Sequence, residues 1–149
     1  MTSETMTAEM IGDCRHIPPL LAKMIYRMKG ADKLCLVSDA IAPAGLPESD
    51  AVYSLGTGEN CTKVRVEQGV AMVEDRSRSA GSVQSLDQMV RNMVFQCHIP
   101  LHHAVRMASL TPAEVIGIDH ECGSIAVGKR ADLCLLDKEL QVIKTILAG

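Results

Sequence analysis

The residues best suited to do chemistry are an aspartate and a histidine, and each follows a short apolar segment. Asp39 comes just after the continuous apolar run 34–37, and His16 ends the polar cluster 13–16. A carboxylate at the end of a buried strand is costly unless it lies in solvent or in a working site. Asp39 is therefore a candidate general base and acid for proton transfer, with a loop cap as the alternative. His16 is a candidate for orienting or binding a substrate, with a surface histidine at a helix start as the alternative.

A strand, a helix and a second strand are needed to bring these two side chains together. The sequence predicts a short strand at 10–11, a helix that opens with two prolines and stops at Gly30, and a second strand at 34–37. The apolar residues that recur at helical spacing are Leu20, Leu21, Met24, Ile25 and Met28. Such a unit makes its two strands parallel, usually with a right-handed crossover. We therefore expect His16 and Asp39 at the same end of the sheet, where ligands collect in α/β folds.

Residues 46–79 have a different character from the segments on either side. Short β-prone pieces at 51–55, 61–66 and 70–73 are separated by glycine-containing turns. This pattern predicts a small antiparallel meander or hairpin, followed by a polar, flexible return at 74–79.

The segment Ala80-Gly81-Ser82 is predicted to lead from this return into a helix. The apolar face of that helix would be Leu86, Met89, Val90, Met93 and Val94. Gly81 and Ser82 could offer backbone N–H groups to a ligand oxygen, because glycine allows close approach. A plain loop-to-helix turn is the alternative.

Two more helices and two strands complete the predicted elements. Pro100 opens one helix, and Thr111 is predicted as the N-cap of the next, with Glu114 reaching back in a capping box. The segments 131–136 and 142–147 read as strands.

Composition and charge exclude several classes of function. The chain has 149 residues, 47% of them hydrophobic, which is enough for one domain with a core. The net charge of -3 and an aromatic content of 2% predict no nucleic-acid partner. No apolar run approaches a membrane span, and the first nine residues do not form a signal peptide, so we expect no membrane partner and a cytoplasmic location.

Neither the cysteines nor the remaining histidines predict a metal site. The six cysteines form no C-x-x-C pair, which disfavours a structural zinc or a disulfide framework. His98 and His102 have H-x-x-x-H spacing, but Pro100 breaks the helical register between them. We interpret these two histidines and the neighbouring His103 as non-ligands.

Several segments, in this order and spacing, match one family. Asp13-Cys14-Arg15-His16-Ile17 resembles D-G-x-H-[VI], Leu36-Val37-Ser38-Asp39-Ala40 resembles L-V-[ST]-D-A, Ala42-Pro43-Ala44-Gly45 resembles A-x-A-G, Ala80-Gly81-Ser82 and Arg91-Asn92 resemble A-G-S and R-N, and 123–133 resembles the G-S-[IL]-A-x-G-K-x-A-D-L tail of amidohydrolases. From about residue 8 onward, the chain resembles the carboxyl-terminal part of the N-acetylglucosamine-6-phosphate deacetylase family of amidohydrolases.

The resemblance implies an α/β fold built on part of a (β/α)8 TIM-type barrel. Residues 1–45 and 80–120 would supply the last strands and helices of the barrel. Residues 46–79 would form a β-hairpin insert, and residues 121–149 would be strands that return to a small β-sandwich.

The resemblance also implies a reaction and roles for the candidate residues. The family hydrolyses the acetamide of a small amino-sugar phosphate to glucosamine 6-phosphate and acetate. Asp39 would be the catalytic residue, deprotonating a metal-bound water and returning the proton to the leaving amine. His16 would contact the sugar, and the backbone of Ala80, Gly81 and Ser82 would line the substrate pocket.

The metal implied by the resemblance is a divalent zinc or iron ion. Its ligands in the family are a glutamate and two histidines from earlier strands, and no segment of this chain matches them. A (β/α)8 barrel needs about 250 residues, so we expect a portion that works with a complementing amino-terminal half or in a homo-oligomer. The alternatives are a non-catalytic truncated remnant and a part of another amidohydrolase, such as a deaminase or a cyclic amidase.

Overall fold

The described residues form one unit of helices and strands and a second unit made of strands. The computed structural model describes residues 5–46, 51–58 and 61–148. One unit comprises residues 1–37 and 86–149, and the other comprises residues 38–85. The predicted insert 46–79 falls within the second unit, although its residues 47–50 and 59–60 lie outside the described part, and the predicted domain boundaries stay a prediction.

The first unit begins with a parallel strand pair joined by a helix. Strand β1 (Ala8–Ile11) runs parallel to strand β2 (Leu34–Val37), with Ala8 beside Leu34 and Ile11 beside Val37. Helix α1 (Pro19–Lys29) makes the crossover and ends at Gly30, whose N–H donates to the Tyr26 carbonyl. The predicted strand–helix–strand unit is confirmed.

Of the apolar residues that recur at helical spacing in α1, only Ile25 is buried in the core. Ala22 and Ile25 are the buried residues of this helix, whereas Leu20 is 74% exposed and Met28 is 62% exposed. Leu21 and Met24 are also exposed. Apolar residues occur around most of this helix, so their helical spacing predicts the helix but does not by itself select the side that packs.

Three helices complete the core of the first unit: α2 (Leu86–Phe95), α3 (Leu101–Ala108) and α4 (Leu110–Ile116). The predicted face of α2 is confirmed, since Met89 and Met93 are fully buried. The core cluster consists of Met10, Ala22, Ile25, Ala31, Leu34, Leu36, Val90, Met93, Cys97, Ile99, Ala104 and Met107. It lies against the β1–β2 pair, and apolar burial of this kind is the main stabilising contribution in a domain.

The start of α4 differs from the prediction. The helix begins at Leu110 with Ser109 at the N-cap position, and no side chain caps it. Thr111, predicted as the N-cap, is 1% exposed, and its hydroxyl donates to the Ala31 carbonyl at 2.7 Å. A buried carbonyl 80 positions away takes the hydroxyl, because a buried polar group left unpaired costs more than an uncapped helix end at the surface.

The carboxyl-terminal part of the first unit is an antiparallel strand pair. Strand β7 (Leu133–Leu136) pairs with strand β8 (Val142–Ile146), which confirms the two strands predicted here. Within the described residues, no helix is both long and apolar enough to cross a membrane.

The second unit is a four-stranded antiparallel sheet in the order β3 (Val52–Leu55), β4 (Thr62–Glu67), β5 (Val70–Val73) and β6 (Ser79–Ser82). The first three strands confirm the predicted meander. The fourth was predicted as a return and a turn into a helix, and that prediction was wrong. Residues 79–82 pair with β5 because long-range pairing to Val70 and Met72 compensates for the weak strand propensity of glycine and serine.

Candidate functional site

His16 lies in a turn that a buried aspartate closes. Asp13, two residues beyond the end of β1, is 1% exposed. Its Oδ1 accepts the backbone N–H groups of Arg15 and His16, both at 2.9 Å, and its Oδ2 lies 2.7 Å from His16 Nδ1. One carboxylate therefore shapes the loop and orients the imidazole. When a carboxylate accepts a hydrogen bond from Nδ1–H of a neutral imidazole, Nε2 carries no proton. Nε2 can then accept a hydrogen bond from a ligand.

Asp13 orients the predicted site residue His16, a part that the sequence interpretation did not assign to it. The available signal was the Asx-turn pattern. In this pattern an aspartate side chain accepts hydrogen bonds from the backbone N–H groups two and three residues further along the chain. His16 itself is partly buried, with 19% of its side chain exposed. Its predicted position beyond the carboxyl end of β1 is where the structure places it.

The residue between Asp13 and His16 that departs from the resembled D-G-x-H segment is Cys14. Its backbone has φ of 58°, in the left-handed region that favours glycine. A glycine at this position would adopt the left-handed conformation without strain. The cysteine adopts the same conformation within the turn that Asp13 closes. The Sγ of Cys14 lies 3.8 Å from the Sγ of Cys97.

The resembled R-N segment fixes the same loop from α2. Asn92 is 7% exposed, and its Nδ2 donates to the Gly12 carbonyl at 3.1 Å. A Cβ on Gly12 would come within 2.9 Å of the Met89 Cβ, so only glycine lets α2 pack this closely. Arg91 donates to Asp87 at 2.7 Å and so contributes to the helix surface.

Asp39 and the segment 80–82 lie together in the second unit. Ser82 N donates to the Asp39 carbonyl at 2.8 Å, and Ile41 N donates to the Ser82 carbonyl at 3.0 Å. Ala40 forms a parallel bridge with Ser82. The backbone of Asp39 takes φ of 46°, an uncommon conformation that these bonds on either side hold in place. The side chain of Asp39 is exposed.

Gly81 is required beside Asp39 for two reasons. Its φ is 118°, and a Cβ there would lie 2.6 Å from Ile41 Cγ2, 3.0 Å from the Asp39 carbonyl oxygen and 3.5 Å from Asp39 Oδ2. The close approach predicted for Gly81 is thus made to the chain itself. The Ser82 N–H is likewise engaged by the Asp39 carbonyl and does not point to an outside oxygen.

Of the predicted site residues, the structure brings together Asp39, Gly81 and Ser82 by direct contact, with Ala80 half-buried in the same strand. His16 belongs to the first unit. Its meeting with Asp39 in one pocket stays a prediction, as do the substrate contacts of 80–82.

No group of three or more His, Cys, Asp or Glu side chains that could hold a metal ion occurs within the described ranges. His98 is exposed, and His103 Nδ1 lies 2.5 Å from the Tyr26 hydroxyl. Asp39 is a single carboxylate, so these residues do not by themselves fit a zinc or iron site. That the ligands come from outside this chain stays a prediction.

Comparison with known proteins connects the whole chain to one family. The sequence pattern of the Amidohydrolase family matches residues 5–149. The chain is 35% identical over 141 residues to N-acetylglucosamine-6-phosphate deacetylase of Vibrio furnissii, covering 95% of this chain and 33% of that protein. It is 34% identical to a putative N-acetylgalactosamine-6-phosphate deacetylase of Escherichia coli K12, covering all of this chain and 84% of that protein.

Solved structures agree with the sequence comparison. A crystal structure of N-acetylglucosamine-6-phosphate deacetylase from Pasteurella multocida superposes with a TM-score of 0.86 at 32% identity, covering 99% of this chain and 37% of that one. The enzyme of the same name from Mycobacterium smegmatis gives a TM-score of 0.87 at 36% identity, covering 99% and 38%. The chain spans about a third of the length of most of these relatives.

Proposed function

The chain belongs to the amidohydrolase family, and from that premise we propose that it is the carboxyl-terminal part of an N-acetylglucosamine-6-phosphate deacetylase. The reaction is hydrolysis of the acetamide to glucosamine 6-phosphate and acetate. The observation that carries the proposal is Asp39, an exposed carboxylate just beyond β2 whose backbone carbonyl accepts the Ser82 N–H.

In this proposal β1 and β2 are the last two strands of a (β/α)8 barrel. Their parallel pairing through α1 and the superposition on deacetylase structures support it. Residues 1–45 and 80–120 are the barrel portion, 46–79 is the insert, and 121–149 returns toward a β-sandwich. Among the described strands, β1 and β2 pair with each other alone. The outer edge of each is where strands from a complementing amino-terminal half or a second copy would add.

Asp39 moves the proton in the proposed reaction. As a water oxygen attacks the acetamide carbon, the Asp39 carboxylate accepts a proton from that water. As the C–N bond breaks, the carboxyl returns the proton to the departing nitrogen, which leaves as the amine. The exposed position of Asp39 gives a substrate access to it, and the bonds from Ser82 and Ile41 keep the loop in place during both transfers.

His16 positions the sugar in the same proposal. Asp13 holds its Nδ1, so Nε2 is the ring nitrogen that accepts a hydrogen bond from a sugar hydroxyl. The backbone around Gly81 and Ser82 lines the pocket. A divalent zinc or iron ion would be held by residues other than those described, and the steps assigned to Asp39 and His16 do not depend on its geometry.

The test is acetate release from N-acetylglucosamine 6-phosphate by the purified chain, with and without added zinc or iron. Replacing Asp39 with Asn removes the proton acceptor and should lower the rate by about 10²–10⁴-fold. Glu74→Gln is the matched control, since Glu74 is also an exposed carboxylate of the second unit. An Asp39→Asn variant as active as the control would refute the role of Asp39. A folded but inactive wild-type chain would favour the incomplete barrel, and activity should then return when an amino-terminal half is supplied.

The 4-epimer is a second candidate substrate. The E. coli K12 relative, 84% of which the chain covers, is named as a putative deacetylase of N-acetylgalactosamine 6-phosphate. The two sugars differ in the configuration of one hydroxyl group, so the same proton transfer by Asp39 serves both. Parallel rate measurements on the two sugar phosphates decide between them, and release of acetate from neither would favour a remnant or another amidohydrolase activity.

A further inference from the structure

Two cysteines far apart in sequence meet beside the His16 loop. Cys14 and Cys97 are 83 positions apart, and their Sγ atoms lie 3.8 Å from each other. Both are free thiols. Cys14 belongs to the turn closed by Asp13, and Cys97 lies two residues after the end of α2, where its N–H donates to the Asn92 carbonyl.

We propose that Cys14 and Cys97 form a reversible oxidation site, in which hydrogen peroxide converts the two thiols to a disulfide that fixes the His16 loop to the end of α2. The site is distinct from the deacetylase proposal, because it concerns covalent modification of the chain itself. It also differs from a disulfide framework, since the two thiols are free in the structure.

The geometry brings the two sulfur atoms within reach of a bond. A disulfide needs an S–S distance of about 2.05 Å, so the pair must close by less than 2 Å from the present 3.8 Å. The loop and α2 are already joined by the bond from Asn92 to Gly12. Cys97 is 1% exposed and fixed, whereas Cys14 is only half-buried and can both meet an oxidant and make the approach.

The pKa values of the two thiols are shifted in opposite directions. The hydrogen bond with Cys14 lowers the pKa of Cys97 from its usual value, burial acts in the opposite direction, and the charge of Lys23 makes a smaller lowering contribution. The same hydrogen bond and burial raise the pKa of Cys14. The contact between the two sulfur atoms therefore changes how readily each thiol loses its proton.

The chemistry balances in two steps. The Cys14 thiol loses its proton to solvent as its sulfur attacks one peroxide oxygen, the O–O bond breaks, and hydroxide leaves, giving a sulfenic acid on Cys14. The Cys97 sulfur then attacks the Cys14 sulfur, the S–O bond breaks, and the Cys97 proton leaves with the hydroxyl as water. The two sulfurs lose two electrons in total, and the peroxide is reduced to two waters once the hydroxide takes a proton from solvent.

The experiment is mass spectrometry of the reduced full chain before and after hydrogen peroxide, with remaining thiols blocked by N-ethylmaleimide. We expect a loss of two hydrogen atoms in the intact mass, a peptide linked between Cys14 and Cys97, and return to the starting mass with dithiothreitol. Cys14→Gly, which suits the left-handed backbone, and Cys97→Ala should both lose the linked peptide. Cys134→Ser should keep it, because Cys134 is an exposed cysteine elsewhere in the first unit.

Three outcomes would overturn the proposal, and two of them would appear in the mass spectra. One is oxidation of Cys14 to a sulfinic acid with no linked peptide, and the other is linkage of either cysteine to a different partner. Hydrogen exchange of the wild-type chain provides a readout that needs no variant. Slower exchange of the Arg15 and His16 amides in the oxidised form supports a fixed loop, and unchanged exchange contradicts it.

Discussion

Asp13 Oδ2 lies 2.7 Å from His16 Nδ1, while Oδ1 of the same carboxylate accepts the backbone N–H of His16. The residue that closes the loop is thus the one that orients the ring. Because Asp13 is 1% exposed, its carboxylate has little competition from water for these bonds. Loop shape and imidazole tautomer are coupled through one side chain.

Replacing Asp13 with Asn should keep the hydrogen bonds that shape the loop but change the tautomer of His16. Asparagine keeps one oxygen for the backbone N–H groups of Arg15 and His16 but sets an NH₂ group against Nδ1, so the ring must carry its proton on Nε2. We expect nitrogen NMR to report that change of tautomer at His16. We also expect a loss of about 1–3 kcal/mol in the free energy of unfolding, as for a disturbed buried hydrogen bond.

Asp75→Asn is the matched control for this prediction. Asp75 closes a similar turn by accepting Ser77 N at 3.0 Å, but it is exposed. Its replacement should change the free energy of unfolding by no more than about 0.5 kcal/mol and leave His16 unaffected. An unchanged His16 tautomer in Asp13→Asn would contradict the coupling.

Gly81→Ala should disturb the loop that holds Asp39. The new Cβ would lie 2.6 Å from Ile41 Cγ2 and 3.0 Å from the Asp39 carbonyl oxygen, at a backbone φ of 118°. Gly69→Ala is the control, because its φ is also positive, at 75°, but open space surrounds it. We expect the control to cost about 1–2 kcal/mol from backbone strain alone, and Gly81→Ala about 1–3 kcal/mol more from the clash. Urea unfolding measures both, and equal losses would refute the steric argument.

Local signals in the sequence account for the elements that were predicted correctly. A continuous apolar run, prolines at a helix start and Gly30 after its end predicted the parallel unit of β1, α1 and β2, because each signal acts within a few residues. The position of Asp39 just beyond β2 follows from the same signals. Its contacts with Gly81 and Ser82 do not, since the pairing of 79–82 with β5 depends on the folded sheet.

Long-range packing explains the features that sequence patterns missed. Thr111 carries a good capping signal, yet the Ala31 carbonyl 80 residues away takes its hydroxyl. The apolar residues of α1 surround much of the helix, so the side that meets the core depends on which neighbours are small enough to fit. Ala22 provides that side, and periodicity gave it no weight.

The orientation of α1 is testable by two alanine replacements on opposite sides. Ile25 is 6% exposed within the core cluster, and Leu20 is 74% exposed. Ile25→Ala should lower the free energy of unfolding by about 2–5 kcal/mol through lost burial and a residual cavity. Leu20→Ala should change it by no more than about 0.5 kcal/mol. Denaturant unfolding distinguishes the two, and a larger loss in Leu20→Ala would mean that α1 packs through the side that carries Leu20.

Acid should weaken the contact between Asp132 and the segment that follows β8. The backbone N–H of Ala148, 2.9 Å away, and the Arg130 guanidinium hold the pKa of Asp132 below its usual 3.8. Because the folded-state pKa is depressed, the stabilisation is present above the unfolded-state pKa and is lost as pH falls through the lower folded value. In an NMR titration the Asp132 carboxyl should therefore titrate below pH 3.8, and the Ala148 amide signal should move with it. Asp132→Asn should abolish that movement, whereas titration of Asp132 at its usual pKa would show that the contact with Ala148 does not hold the charged form.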